Sequence, residues 1–296
     1  MIKKAYTPIS LFHEQVDEFR AALEYTQSAT TFPAELLEKD YLSTLILDNI
    51  FQQTNHSLVF RGGTCLNKVH LGFYRMSEDL DFTISTPEGT SRSTRSKMVS
   101  PLKEALSTLP QVLPIFSISK QLEGSNNSTQ YRAEVFYQSC ITGQPSNITI
   151  EVGLRESLLR KPLQGEAKTI LINPFTGRAV VSPIRVVCFD ILEAFSEKLR
   201  AAVCRKIPAI RDLYDIFYAI QKNLITLTDS TFKNLVRKKI MVPGNCLIPL
   251  TEERIKEFRR QIDTDLRPVL GEENFKNFDF EKVVIQIKSI IDDLKF

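Results

Sequence analysis

Residues 79–84 read DLDFTI, and the alternation within them constrains this chain more than any other stretch. Asp79, Asp81 and Thr83 interleave with Leu80, Phe82 and Ile84, the period-2 pattern of a strand with one buried face. The pattern predicts that both carboxylates point out together while the apolar trio enters a core. Residues two apart on a strand have Cα atoms roughly 7 Å apart, so both carboxylates could reach one ion. Upstream, LVF, RGG and TCLNKVHLG read as an apolar strand, a glycine turn and a short helix. Gly62 and Gly63 would let backbone approach a phosphate, with free N–H groups at Thr64 facing it. The hydroxyls of Ser77 and Thr64 can donate to phosphate or serve a local turn or cap. Arg75 is either a phosphate ligand or a surface charge. Alone, a GG is usually a turn and a D-x-D a solvated edge. In this order they supply what a nucleotidyl-transfer site needs.

The 296 residues can bury one large core or two modest ones. With 43% hydrophobic and 25% charged residues, the composition is that of an ordinary globular chain. A net charge of +3 gives no global signature of nucleic-acid binding, so any such surface must be local. The five cysteines, Cys65, Cys140, Cys188, Cys204 and Cys246, are odd in number and include no C-x-x-C pair. That argues for reduced thiols and against a zinc site. The three histidines show no ligand spacing to a cysteine. The opening MIKKAYTPISLFHEQ lacks the apolar segment of a leader, and no run approaches the roughly 18 apolar residues of a membrane span. A soluble cytoplasmic protein with no membrane partner is expected.

Helical spacing marks 33–54, and 86–96 reads as a loop or helix start. Residues 130–138 and 148–154 alternate as strands, with turn chemistry at 124–128 and 142–147. From 188 onward the chain reads as nearly all helix, over 188–205, 210–222, 228–239, 251–264 and 279–294. The expected class is α+β, with a mixed sheet domain over 1–185 and a helical domain over 186–296.

The combination of RGGT with S-E-D-L-D-F resembles the first motif of the AbiEii/AbiGii toxin family, within the DNA polymerase β-like nucleotidyltransferases. EKDYLSTLIL at 38–47 resembles the helix before that family's first strand, and NITIEVGLRE at 147–156 a later strand of its sheet. The segment FDILEAFSEKLRAAVCRKIPAIRDLYDIF at 189–217 resembles its helical K…R…RDxxD region. The resemblance covers about residues 35–220.

The resemblance implies a polymerase β-like sheet with flanking helices and a helical domain that contributes to the active-site cleft. It implies Mg²⁺ held by Asp79 and Asp81, with Glu151, on the polar face of its strand, as the third metal carboxylate. It places Lys198 on the NTP phosphates, although spacing alone puts this lysine on the edge of an apolar stripe, where it could simply reach water. It makes one of Asp212 and Asp215 essential, Asp212 being the first choice, with Arg211 as orienting partner. The activity implied is transfer of NMP from an NTP to the 3′ acceptor end of tRNA by the toxin of a toxin–antitoxin pair, with a cognate antitoxin as partner. Basic residues from Arg200 to Arg260, mostly solvated, would include a subset near Lys198 suited to an RNA end. Modification of a small molecule or a protein, or a catalytically idle NTP-binding module, are the competing readings.

Overall fold

A computed structural model describes residues 11–54 and 57–294. Residues 1–10, part of the stretch searched for a leader, lie outside the described residues. The chain divides into two compact units, Met1–Phe189 and Asp190–Phe296.

The first unit opens with α1 (Val16–Thr30) and α2 (Ala34–Gln53), followed by β1 (Leu58–Arg61). A short helix α3 (Gly62–Cys65) continues as a π-helical segment over Leu66–Leu71 and leads to β2 (Leu80–Ile84). Then come α4 (Arg92–Val112), β3 (Phe116–Ser125), β4 (Gln130–Gln138), β5 (Pro145–Gly153), β6 (Leu163–Ala167) and β7 (Ile184–Cys188). The strands form one mixed sheet in the order β3-β4-β5-β2-β1-β7-β6. In its centre β2 runs antiparallel to β1 and parallel to β5, while β1 runs parallel to β7.

Local chemistry explains the central elements. Pro33 stands immediately before α2, where its missing N–H costs nothing. The helix is buried nearly all round, with Leu37, Tyr41, Leu45, Ile46 and Ile50 shut off from solvent, as suits an internal helix. It packs on α1, α4 and β7. Phe82 of β2 lies 5.5 Å from the ring of Phe60 in β1 and 6.1 Å from that of Phe51 in α2, which anchors the apolar face of the DLDFTI strand.

Three features depart from the sequence expectation. Strand β2 starts at Leu80, so Asp79 precedes it, and Thr83 is 4% exposed with its hydroxyl donating to the Gly153 carbonyl at 3.0 Å. The polar face is therefore open only at the start of the strand. Strands β3 and β6 went unread because they are the two sheet edges, whose sequences lack a clean apolar alternation. Residues 184–188 form β7 inside the sheet, which moves the division of the chain from after 185 to after Phe189.

The second unit is helical: α5 (Ile191–Cys204), α6 (Ile210–Gln221), α7 (Ser230–Ile240), α8 (Glu252–Gln261), α9 (Glu272–Lys276) and α10 (Phe280–Leu294), with a π-helical segment over Ile262–Leu266. Helix α5 packs on α6 and α7, and α6 on α8 and α10. The side chains of Asp190, Asp229 and Thr251 accept the first free N–H groups of α5, α7 and α8. The fold is mixed α and β.

Candidate active site

One row of the sheet gathers the charged residues. Arg61 of β1 pairs with Asp81 of β2, Asp81 with Glu151 of β5, and Glu151 with Arg132 of β4. Residues in register on neighbouring strands present their side chains to the same face. Two carboxylates are thus side by side, flanked on each outer strand by an arginine. The guanidinium of Arg132 stands 3.7 Å from Glu151. The carboxyl of Glu151 is pushed above the ordinary carboxylate range, first by partial burial and then by the charge of Asp81, with Asp79 adding to it. Arg132 and Arg61 pull in the opposite direction. Asp79, Asp81 and Glu151 therefore act on one another electrostatically. Like charges gathered this closely, only partly offset by the two arginines, are a suitable donor set for a hard divalent cation.

The glycine pair is the seat of this group. Gly62 has φ +79°, and a Cβ on it would collide with the Asp81 carboxylate. A Cβ on Gly63 would fall 2.6 Å from Nη2 of Arg75 and 2.7 Å from Oγ of Ser77. The two glycines thus let Asp81, Arg75 and Ser77 close over the backbone.

Thr64 and Arg75 are both buried beside the glycine pair. The Thr64 hydroxyl is buried and donates to the Asp79 carbonyl at 2.5 Å, so it holds the loop that carries Asp79. Arg75 is 2% exposed and donates from Nη1 to the Met76 carbonyl at 2.8 Å, which removes the surface-charge reading. Ser77 is half-buried and Asp79 exposed. Arg61 and Arg132 were missed in the sequence. Their signal exists only in strand register.

The donors are not closed into a cage. Among the described residues, the oxygens of Asp79, Asp81 and Glu151 do not all come within 4.8 Å of one another. Magnesium keeps several waters and takes only a few protein carboxylates, so the open set fits it.

In the helical unit, Nζ of Lys198 lies 3.0 Å from Oδ1 of Asp212 and 2.9 Å from Oδ2 of Asp215. Both aspartates are buried, while the lysine side chain is 12% exposed. Arg205 reaches Oδ2 of Asp212 at 3.0 Å as an ion pair without an aligned hydrogen bond. Arg211 lies at the start of the same helix, half-buried. The basic residues of this half are mostly solvated, as expected, with Arg205, Lys206, Lys238, Lys256, Arg259 and Arg260 exposed, but two are buried. Lys239 is 1% exposed and pairs with Glu193 at 2.9 Å, and Arg254 donates to the carbonyls of Ala202, Arg205 and Lys206. Arg200 pairs with Glu197. These cations are placed where they neutralise buried acids and helix ends.

The family profile described as "Nucleotidyl transferase AbiEii toxin, Type IV TA system" matches residues 45–283. No curated protein matches this chain. Solved structures share its fold, two of which follow. One is described as a candidate nucleotidyltransferase from H. pylori, at 14% identity and TM-score 0.51, covering 89% of this chain and 96% of that one. The other is JHP933 from Helicobacter pylori, at 15% identity and TM-score 0.50, covering 89% and 93%. The profile spans most of the sequence, including the DLDFTI strand, Glu151, Lys198 and both aspartates of α6, and the chain belongs to the AbiEii family of nucleotidyltransferases, toxins of type IV toxin–antitoxin systems.

Proposed function

We propose that this protein transfers NMP from an NTP to the 3′ acceptor end of tRNA and thereby blocks translation. The observation that supports a transfer site best is the registered Asp81–Glu151 pair with Asp79 beside it. Asp79, Asp81 and Glu151 would hold Mg²⁺, which when bound supplies neutralisation of the charge at the α-phosphate and eases ionisation of the attacking hydroxyl. The bare backbone of Gly62 and Gly63 approaches the phosphates, and the Ser77 hydroxyl donates to them. Thr64 keeps the Asp79 loop in place, and Arg75, against Gly63, is the cation proposed for the phosphates there.

The role proposed for Lys198 is charge neutralisation on the NTP phosphates, with Asp212 and Asp215 fixing its ammonium and Arg211 contributing on the same helix. The cognate antitoxin of a type IV pair is the partner expected in the cytoplasm. Among the described residues no helix is long and apolar enough to cross a membrane.

Lys239 and Arg254 are buried and take no part in a basic approach, while Arg205, Lys206 and Lys238 remain exposed for RNA phosphates. A small hydroxylated acceptor or a protein on the same catalytic groups is the second reading. An idle NTP-binding module would have no need of three mutually repelling carboxylates.

The deciding experiment incubates the protein with total tRNA, Mg²⁺ and each labelled NTP in turn, on a denaturing gel. Label on tRNA from the wild type but not from an Asp79→Ala, Asp81→Ala variant is the expected result. Label that reaches a small molecule and never RNA establishes the second reading.

A further inference from the structure

Outside the carboxylates, a cluster of ligand-type side chains forms in the sheet unit. The thiols of Cys65 and Cys188 and an imidazole nitrogen of His70 all lie within 4.8 Å of one another. They come from three segments: Cys65 ends α3, His70 lies in the π-helical turn that follows, and Cys188 ends β7. Both cysteines are buried, and none of the five cysteines forms a disulfide. His70 is half-buried, with Nε2 3.0 Å from the Phe189 carbonyl, a contact that fixes the ring. Such a backbone partner is the usual orienting contact of a metal-binding histidine.

The neighbouring strand passes close against this cluster, and only a glycine fits there. A Cβ on Gly165 of β6 would sit 2.9 Å from Sγ of Cys188 and 2.6 Å from Cγ1 of Val69. A separation of a few ångströms among two sulfurs and one nitrogen is what a tetrahedral ion with metal–ligand bonds of about 2.0–2.3 Å requires.

We propose that Cys65, His70 and Cys188 form a binding site for one thiophilic d¹⁰ ion, Zn²⁺ or Cu⁺. Two thiolates and an imidazole select these ions over Mg²⁺, whose preference is for oxygen. On binding, each S–H bond breaks, its proton passes to solvent and an S–metal bond replaces it, with no change of oxidation state. The ion ties α3 to β7. Cys65 directly follows Thr64, which holds the Asp79 loop, so the same ion stiffens the glycine turn. The site stands independently of nucleotidyl transfer.

The test uses the full-length reduced protein, stripped with chelator and titrated separately with Zn²⁺ against a chromophoric competitor, with Cu⁺ against bicinchoninate, and with Co²⁺ as spectroscopic probe. One equivalent of Zn²⁺ or Cu⁺, a thiolate-to-cobalt charge-transfer band and a rise in Tm with the bound ion are expected. Which of the two ions competes better identifies the resident one. Cys65→Ser and Cys188→Ser should lose the band. His70→Gln, at a half-buried position that the fold tolerates more easily, should lose the tight phase while circular dichroism stays unchanged. An Asp79→Asn, Asp81→Asn, Glu151→Gln variant should keep both. Zn²⁺ uptake that vanishes in the carboxylate variant and survives in the cysteine variants overturns the proposal. So does a Cys65–Cys188 disulfide in protein purified without reductant, if the reduced form takes up no metal.

Discussion

Asp81 and Glu151 stand side by side in register on parallel strands β2 and β5, and burial, followed by the charge of the first, raises the pKa of the second. Two acids side by side repel each other, and the arginine beyond each offsets only part of that cost. Partial exposure keeps the cost bearable, since Glu151 retains 49% of its side-chain accessibility.

This gives a first prediction. Asp81→Asn and Glu151→Gln should each lower nucleotidyl transfer by about 10²-fold or more, as expected on losing one positioned charge. Both side chains are partly solvated, so the far-UV spectrum should hold and neither variant should lose Tm. Transfer by either variant within a few fold of wild type counts against the metal-carboxylate reading.

A second concerns pH, in protein kept free of divalent ions. A carboxyl whose folded-state pKa is raised binds protons more readily in the fold than in the unfolded chain. Its contribution to stability is complete below the unfolded value and is lost as pH rises through the raised folded value. Glu151→Gln should remove that loss, so its Tm should exceed that of the wild type above this window and match it below. Equal Tm differences at acidic and neutral pH would contradict the shift.

Third, Gly62→Ala should fail on two grounds at once. Its φ of +79° disfavours any side chain, and the new methyl would displace the Asp81 carboxylate. A destabilisation of about 1–3 kcal/mol is expected from the backbone alone. Transfer should fall further than stability accounts for, measured where the variant is still fully folded. The neighbouring turn glycine Gly72 (φ +66°) has no atom within 4 Å of the position a Cβ would take, so Gly72→Ala should show the strain without the catalytic loss.

Fourth, Lys198 has a structural share that complicates any simple alanine test. Removing it takes from buried Asp212 and Asp215 the ammonium they share, leaving Arg205 on Asp212, which should cost about 3–5 kcal/mol. Adding Asp212→Asn and Asp215→Asn to Lys198→Met should recover much of that stability. If transfer stays absent in the recovered triple variant, the cluster serves the reaction; if it returns, the cluster only holds the helices.

Fifth, the ion pair of Lys68 and Asp40, 2.6 Å long and fully buried, should behave as a structural unit of the sheet domain. Asp40 also accepts from the Thr169 hydroxyl and the Ile170 N–H, so it fastens the 168–171 segment to α2. Lys68→Met should cost about 3–5 kcal/mol, and Asp40→Asn added to it should restore part. A denaturant titration of the three variants checks this.

What the sequence determined by itself was local. Alternation placed Leu80, Phe82 and Ile84 in a core and the aspartates outside it, because side-chain direction along one strand follows from backbone geometry alone. The GG dipeptide announced a close approach, and the helices of the second unit were readable from their 3.6-residue spacing and polar caps. The tertiary structure decided everything that depends on which segments lie beside one another. Strand register set Glu151 next to Asp81 and brought in Arg61 and Arg132, none of which local periodicity distinguishes from a solvated face. Packing buried Arg75, Lys239 and Arg254, which composition places outside, because backbone carbonyls and buried carboxylates were there to receive them. Cys65, His70 and Cys188 show no ligand spacing along the chain. They converge because the sheet sets the end of β7 against the helix that follows β1, and proximity between distant segments is fixed by long-range pairing rather than by any pattern within a window.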